Sequence, residues 1–179
     1  TDAVTSVAFS PNGKTILTGS ADKTSRLWDI NGNVLKKYEA SSGIYHIAFS
    51  PDGKNILASL GNNTALLWNF EGKVLQEFKN PSAGFGVSGS FCFAFSPDGK
   101  TILTGSASLD NTARLWDLQG HILKEYKGNV LNAPYDITSV AFSKDGKKIL
   151  TGSENQEACL WDIKGNILQE FKSRCRSVY

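Results

Sequence analysis

The sequence has no methionine, only two histidines, three cysteines and no run of 18 apolar residues. The missing apolar run excludes a transmembrane helix, and no leader of charged, apolar and small residues is present, so we expect a cytoplasmic protein. An odd number of cysteines without metal-like spacing argues against a disulfide framework or zinc site. The missing methionine, even at position 1, indicates a processed chain or an excised piece.

Strong charge of either sign is also lacking. Lys and Arg number 19 against 17 Asp and Glu, so no strong field favours nucleic acid or an anionic membrane. The apolar fraction of 40% is ample for a core. These numbers favour a globular protein whose partners are not chosen by net charge.

An internal repeat occupies nearly the whole chain. "VTSVAFSPNGKTILTGSADKTSRLWDINGNVLKKY" recurs three times with substitutions, for example as "ITSVAFSKDGKKILTGSENQEACLWDIKGNILQEF". Each unit predicts four antiparallel strands, because short apolar runs alternate with Asn-Gly, Asp-Gly and other turn residues. The first strand is apolar on both faces, so each sheet needs a neighbouring sheet on either side.

These units resemble the WD40 repeats of β-propellers, which share a period of about 40 residues and motifs such as "AFSPDGK" and "RLWD". The resemblance implies an all-β chain of four four-stranded antiparallel meanders, or blades. We expect one WD40 propeller unit over residues 1–179, with blades at about 2–40, 41–80, 81–128 and 129–173. Residues 174–179 then begin a next strand. The phrase "WDIxGNxL" is most similar to bacterial WD40 arrays.

The resemblance also assigns structural residues. The turn Asp and the Trp-Asp pair of each repeat are expected to hold the blade; they are Asp22, Trp28, Asp29, Trp68, Asp110, Trp116, Asp117, Trp161 and Asp162. No repeat has the Gly-His pair that family members often place before the first strand, so the side-chain network should be partial. Asn62 replaces the turn Asp in the second repeat, and Trp68-Asn69 replaces Trp-Asp, which the fold should tolerate.

Four blades are fewer than WD40 rings contain, and a half-ring would expose the apolar flanks of its end blades. Three arrangements remain open. Two chains could form a homodimer that completes an eight-bladed ring, the chain could be part of a longer propeller, or four blades could close alone. The last requires the sharpest angle between blades.

Insertions mark one rim of the array. The repeats are spaced by 40, 46 and 47 residues, and the extra residues fall in 80–90, 128–136 and near Leu109. These stretches connect fourth to first or second to third strands, which open on the rim that commonly receives partners in WD40 proteins. Candidate contact residues at this rim are Tyr45, Phe85, Phe91, Leu109, Tyr135 and Asp136, since aromatic residues are enriched in interface cores.

The sequence contains few residues that could act as catalytic groups together. His46 lies in a first strand at the position of Ser6, where we expect a partly buried, satisfied histidine, and His121 lies in a solvated turn. Neither a triad nor a metal or cofactor site is expected. Lys23, Arg26 and Arg114 are the candidates for nucleic-acid binding, which we do not expect. The WD40 resemblance therefore implies a non-catalytic scaffold for a protein or peptide partner. The alternatives are a self-assembling propeller fragment without a ligand of its own and weak nucleic-acid binding.

Overall fold

The computed structural model describes residues 2–79, 81, 92–105, 112–127, 136–154 and 157–172. Every regular element within these ranges is a β-strand. The sixteen strands form four antiparallel sheets in which sequence neighbours pair. We call these sheets blades 1 to 4.

Each blade contains four consecutive strands. Blade 1 comprises β1 (Val4–Phe9), β2 (Thr15–Ser20), β3 (Thr24–Asp29) and β4 (Val34–Glu39); blade 2 comprises β5 (Ile44–Phe49), β6 (Asn55–Leu60), β7 (Thr64–Asn69) and β8 (Val74–Lys79). Blade 3 comprises β9 (Cys92–Phe95), β10 (Thr101–Gly105), β11 (Thr112–Asp117) and β12 (Ile122–Lys127). Blade 4 comprises β13 (Ile137–Phe142), β14 (Lys148–Ser153), β15 (Glu157–Asp162) and β16 (Ile167–Lys172). The predicted meanders are confirmed.

Tight turns set the registers of the strands. The first hairpin of each blade turns at a glycine with positive φ, for example 69° at Gly13, a backbone conformation that glycine adopts without a steric penalty. The turn between second and third strands places Lys23 at φ 66° and Asn63 at φ 59°. In blade 1, Asp22 Oδ1 accepts hydrogen bonds from the Thr24 hydroxyl at 2.5 Å and the Thr24 amide at 3.0 Å.

Hydrogen bonds between Trp and Thr side chains link the second and third strands of three blades. The indole Nε1–H donates to a second-strand hydroxyl at 2.8 to 3.0 Å in the pairs Trp28–Thr18, Trp116–Thr104 and Trp161–Thr151. Ala58 occupies the equivalent position of blade 2 and has no hydroxyl. The expectation of a partial network is confirmed. Asn69 also performs as expected, because its Oδ1 accepts the Lys73 amide at 2.8 Å, as Asp117 accepts the His121 amide.

The core lies between blades rather than within them. One face of each sheet packs against the preceding blade, and we call it the leading face; the opposite, trailing face packs against the following blade. Between blades 1 and 2, Leu17, Leu27 and Tyr38 of the trailing face pack with Ile44, Ile47 and Trp68 of the leading face. Equivalent clusters join blades 2 and 3 and blades 3 and 4. Each blade thus obtains its core from its neighbours, as in other repeat proteins.

Candidate interaction surface

The antiparallel order of the strands defines two rims. The upper rim contains the turns between second and third strands and the connections from fourth to first strands; the lower rim contains the other hairpin turns. Of the predicted contact residues, the structure describes Tyr45 and Asp136. Phe85, Phe91, Leu109 and Tyr135 lie outside the described residues, as do Asp110, most of both long insertions and residues 174–179.

Tyr45 and Asp136 are both at the upper rim. Tyr45 is 53% exposed, and its ring lies against Gly61: a Cβ added at Gly61 would stand 2.7 Å from Tyr45 Cε2. Ala21 takes the place of Gly61 in blade 1, so the glycine gives the ring its space. Asp136 precedes β13 and is half-buried, and its carbonyl accepts the Glu154 amide at 3.1 Å. Tyr45 therefore offers a fixed, accessible aromatic surface.

A cavity of about 370 Å³ lies between the first strands of blades 2, 3 and 4. We call it the inner-rim cavity. Its lining residues are Tyr45, His46, Ser59, Cys92, Phe93, Thr138, Ser139 and Val140. The His46 and Phe93 rings meet inside it with centroids 4.5 Å apart. The structure thus joins Tyr45 to residues that the sequence did not single out as contact residues.

Ser59 stands where the other three repeats have glycine. Its strand partner is His46, just as Gly19, Gly105 and Gly152 face Ser6, Cys92 and Ser139. The Ser59 side chain is fully buried, and its hydroxyl makes no hydrogen bond in the described part of the chain. A buried hydroxyl without a hydrogen-bond partner costs folding free energy. Ser59 is therefore an unusual residue at the edge of this cavity. Comparison of the four repeats could have revealed this substitution from sequence.

The inner-rim cavity is electrically neutral near pH 7. Packing against Phe93 desolvates part of the otherwise exposed His46 ring and lowers its pKa, which favours the uncharged imidazole, and burial raises the pKa of the Cys92 thiol to about 11. The Cys92 thiol donates to the Ile137 carbonyl at 3.3 Å. His46 is more exposed than predicted and contacts Phe93 instead of forming a hydrogen bond within the described residues. A cavity of this kind suits an uncharged group.

The basic candidates are mostly engaged by carboxylates. Arg26 contacts Asp22 at 3.2 Å, and Arg114, with only 4% of its side chain exposed, contacts Glu125 at 2.9 Å. Lys23 is exposed in the turn between β2 and β3. Of the three candidates, both guanidinium groups are therefore paired with a carboxylate.

Metal-binding clusters and membrane-spanning helices are both absent from the described ranges. No group of three or more His, Cys, Asp or Glu residues there could hold a metal ion. Among the same residues there is also no helix that could cross a lipid bilayer.

The two end faces of the array are apolar and open. On the leading face of blade 1, Val4, Val7 and Phe9 are 61 to 66% exposed, whereas the equivalent Ile44, Ile47 and Phe49 are buried. On the trailing face of blade 4, Leu150 is 42% and Phe171 is 50% exposed, although their counterparts in blades 1 to 3 are buried. The end flanks are therefore exposed as expected for a half-ring, and no described residue of the four blades covers them.

Four consecutive antiparallel meanders that pack face to face are propeller blades. The recurring Trp–Thr hydrogen bonds and Asp turns stabilise the strands within these blades. The chain matches the family described as WD domain, G-beta repeat, over residues 1–29, 32–69, 72–117 and 120–162. It belongs to the WD40 family. A search of curated proteins gave no match. WD40 repeats generally mediate protein interactions and act as non-catalytic scaffolds.

Proposed function

We propose that this chain is a non-catalytic scaffold that binds a peptide segment of a partner protein at the upper rim, with the inner-rim cavity as the anchoring site. The observation that carries the proposal is the convergence of Tyr45, His46 and Phe93 around a cavity into which no fixed charge projects. Aromatic side chains supply large contact areas with little loss of conformational freedom. Strands on both sides hold these rings, so binding requires little ordering.

The partner group that fits best is an uncharged apolar or aromatic side chain with a hydrogen-bonding atom. Tyr45 and the exposed His46 supply accessible aromatic surface and ring nitrogens that can form hydrogen bonds, and the nearly buried Phe93 and Val140 form the apolar floor beneath them. The long insertions 80–90 and 128–136 belong to the same rim in our proposal, with Phe85, Phe91, Leu109, Tyr135 and Asp136 as further contacts. Replacing Phe85 and Tyr135 together by Ala should weaken the partner without unfolding the chain.

A peptide library displayed on phage and selected on the folded chain provides the probe. We expect Tyr45→Ala to weaken a selected peptide at least about fivefold in fluorescence polarisation, because loss of an interface aromatic commonly costs more than 1 kcal/mol. Leu123→Ala is the matched control, since Leu123 is also 53% exposed but lies on the fourth strand of blade 3. Equal weakening by both variants, or by neither, would contradict the assignment.

Nucleic-acid binding is the rival function and has a distinct signature. Phosphate contacts release counterions, so affinity falls steeply with salt. The neutral cavity and the carboxylate partners of Arg26 and Arg114 support a protein ligand. We expect peptide affinity to change less than about threefold between 50 and 200 mM salt, whereas 6–10 phosphate contacts would cost roughly a thousandfold or more.

A second proposed role is assembly. Further blades, from a second copy or from a longer chain, would cover the open end faces and complete a ring, and the chain would then serve as a self-assembling propeller portion. The apolar exposure of Val7, Phe9 and Phe171 supports this role.

We also propose a bacterial, cytoplasmic setting. The repeat phrasing favours the source, and the free thiols of Cys92 and Cys159 favour the compartment.

A further inference from the structure

We infer that the open trailing face of blade 4 binds the open leading face of blade 1 in a second copy of this chain, head to tail, through contacts equivalent to those that join adjacent blades within the chain. Two copies with four blades each then give an eight-bladed ring, a size that propellers adopt. This inference rests on the assembly role proposed above, and its test does not require peptide binding. We call the interface between two adjacent blades a seam. The inference follows from four contacts at the internal seams, because the residues that form the two sides of each contact recur at the two open ends.

The first contact lies beside a second-strand glycine, where the missing side chain leaves space for a residue of the next blade; we call this space the glycine notch. A Cβ at Gly19 would lie 2.7 Å from Ile44 Cγ2, and a Cβ at Gly105 would lie 2.5 Å from Ile137 Cγ2, so each glycine admits a β-branched side chain of the next blade. Blade 4 has Gly152 at this position, and among the described residues only Ser139 Cβ, at 3.8 Å, lies near a Cβ added there. The equivalent of Ile44 and Ile137 in blade 1 is Val4, which is β-branched and 61% exposed. The space beside Gly152 therefore faces outward on blade 4, and the Val4 side chain that would fill it faces outward on blade 1.

Two hydroxyl contacts recur in the same way. The Thr5 hydroxyl donates to the carbonyl of Ile44, and the Ser6 hydroxyl accepts the amide of Ile47 at 3.1 Å. Thr138 and Ser139 are their equivalents in blade 4, and both are exposed. The Thr138 hydroxyl already donates to the Gly152 carbonyl at 3.3 Å, as Thr5 also contacts the Gly19 carbonyl. The matching partners on a second copy are the Val4 carbonyl and the Val7 amide.

The fourth contact lies near the outer edge. A Cβ at Gly120 would lie 2.3 Å from Gln76 Nε2, so the Gln76 side chain of blade 2 covers the turn of blade 3. Blade 4 has Gln169 at the position of Gln76, and the turn glycine of blade 1, Gly32, has nothing within 4 Å of an added Cβ. The end faces thus match at the inner, middle and outer parts of the seam.

One position departs from the repeat. At the lower rim, Pro11, Pro51 and Pro97 each lie 3.5 to 3.6 Å from a Cβ added at the hairpin glycine of the next blade. Blade 4 has Lys144 in place of this proline, and Gly13 of blade 1 is open. The new seam would therefore be polar at the lower rim, and the apolar contacts elsewhere must hold it together.

Exposure separates seam residues from ordinary surface residues and supplies matched controls. Phe171 is 50% exposed while its equivalents Tyr38, Phe78 and Tyr126 are 1 to 2% exposed, so a neighbouring blade normally covers this position. Leu168, three residues earlier on β16, is 48% exposed, and its equivalents Leu35, Leu75 and Leu123 remain 46 to 53% exposed at the internal seams. A charge at position 171 would be buried in the new seam, whereas one at 168 would stay in water.

The test measures the solution mass of the 179-residue chain by light scattering coupled to size-exclusion chromatography. We expect a species of about twice 19.4 kDa. Phe171→Asp and Val7→Lys should each raise the dissociation constant at least about tenfold, because an unpaired charge in an apolar seam is strongly unfavourable. Leu168→Asp and Leu35→Lys should leave the dimer unchanged. Circular dichroism should show folded blades in all four variants.

Mixing the two seam variants tests the head-to-tail geometry. A chain with Phe171→Asp retains its leading face, and a chain with Val7→Lys retains its trailing face, so the mixture should form a heterodimer that contains one unaltered seam. Dimers that form face to face through blade 1 alone would not be weakened by Phe171→Asp, and mixing the two variants would not restore a dimer with an unaltered seam. A monomeric folded chain, a dimer insensitive to Phe171→Asp, or a mixture that stays monomeric would overturn the inference, while peptide binding at Tyr45 would be unaffected.

Discussion

At the scale of single residues, the blades depend on a few buried polar contacts between strands. The Trp116 indole and the Thr104 hydroxyl are 2.8 Å apart, and the two residues are 4% and 2% exposed. Water cannot replace such a bond when it is lost, so the remaining partner bears the full cost of desolvation. Positions of this kind should be far more sensitive than the turns at the surface.

Replacing Thr104 by Val tests this point, since the two side chains have nearly the same shape. We expect Thr104→Val to lower the free energy of unfolding by about 1–3 kcal/mol, because the Trp116 N–H then lacks an acceptor. Thr101→Val is the control on the same strand, because within the described residues Thr101 forms hydrogen bonds to Ser96 through its backbone and not its side chain, and it should stay within about 0.5 kcal/mol. Urea denaturation measures both variants; equal losses would contradict the role of the hydroxyl.

Acid should weaken the turn at Asp22. The Thr24 hydroxyl is the main cause that lowers the pKa of Asp22 from 3.8 to about 2, and Arg26 contributes. A lowered pKa means that the ionised carboxylate favours the folded state, so this contribution is complete above about pH 4 and is lost as the pH falls through about 2. In urea titrations the stability difference between wild type and Asp22→Asn should therefore shrink from pH 5 to pH 2. A difference independent of pH would contradict this linkage.

Asn should nevertheless preserve the turn geometry. In blade 2, Asn62 Oδ1 accepts the Thr64 hydroxyl at 2.7 Å, in the place of the Asp22–Thr24 bond. Asp22→Ala removes the acceptor as well as the charge, and it should destabilise the chain more than Asp22→Asn at every pH. The repeats thus contain their own control for separating the two effects.

At the scale of elements, the packing of one sheet on the next limits side-chain volume. Gly105→Ala should cost about 1–3 kcal/mol, because the new Cβ would stand 2.5 Å from Ile137 Cγ2 and 2.4 Å from Cys92 Sγ. Gly152→Ala places the same group 3.8 Å from Ser139 and should be neutral or slightly stabilising in a monomer. Both are best compared by urea denaturation in the Phe171→Asp background, which blocks the end face. Equal effects would contradict a clash at the internal seam.

Local pattern predicted the elements well, because each strand and turn depends on residues adjacent in sequence. The turn glycines, the Trp-Asp pairs and the order of the strands all follow from the repeat. The inner-rim cavity was not predicted, since it joins residues from three blades. Ser59 and His46 were visible as departures from the repeat, but only the fold shows that they share a cavity with Phe93. Phe85 and Tyr135 stay predictions.

At the scale of the whole molecule, the seams between blades are unequal. The Tyr38 hydroxyl donates to the Phe70 carbonyl, and the Tyr126 hydroxyl donates to the Ile163 carbonyl, both at 3.0 Å. Blade 2 has Phe78 at this position, so its seam with blade 3 lacks the bond. Stability in a linear repeat array is a sum of blade and seam terms, and the weakest seam opens first. Of the three seams within one chain, we expect the seam between blades 2 and 3 to open first.

Phe78→Tyr should strengthen that seam. The Phe78 and Trp116 rings are 5.8 Å apart and edge-on, closely similar to the 5.7 Å edge-on pair of Tyr126 and Trp161, so an added hydroxyl should reach the Leu118 carbonyl. One new buried hydrogen bond should add about 0.5–1.5 kcal/mol, and Tyr126→Phe should remove a similar amount. Because the central seam limits the array, Phe78→Tyr should also slow amide hydrogen exchange in blades 2 and 3 together. A local change confined to β8 would show that the seams open independently.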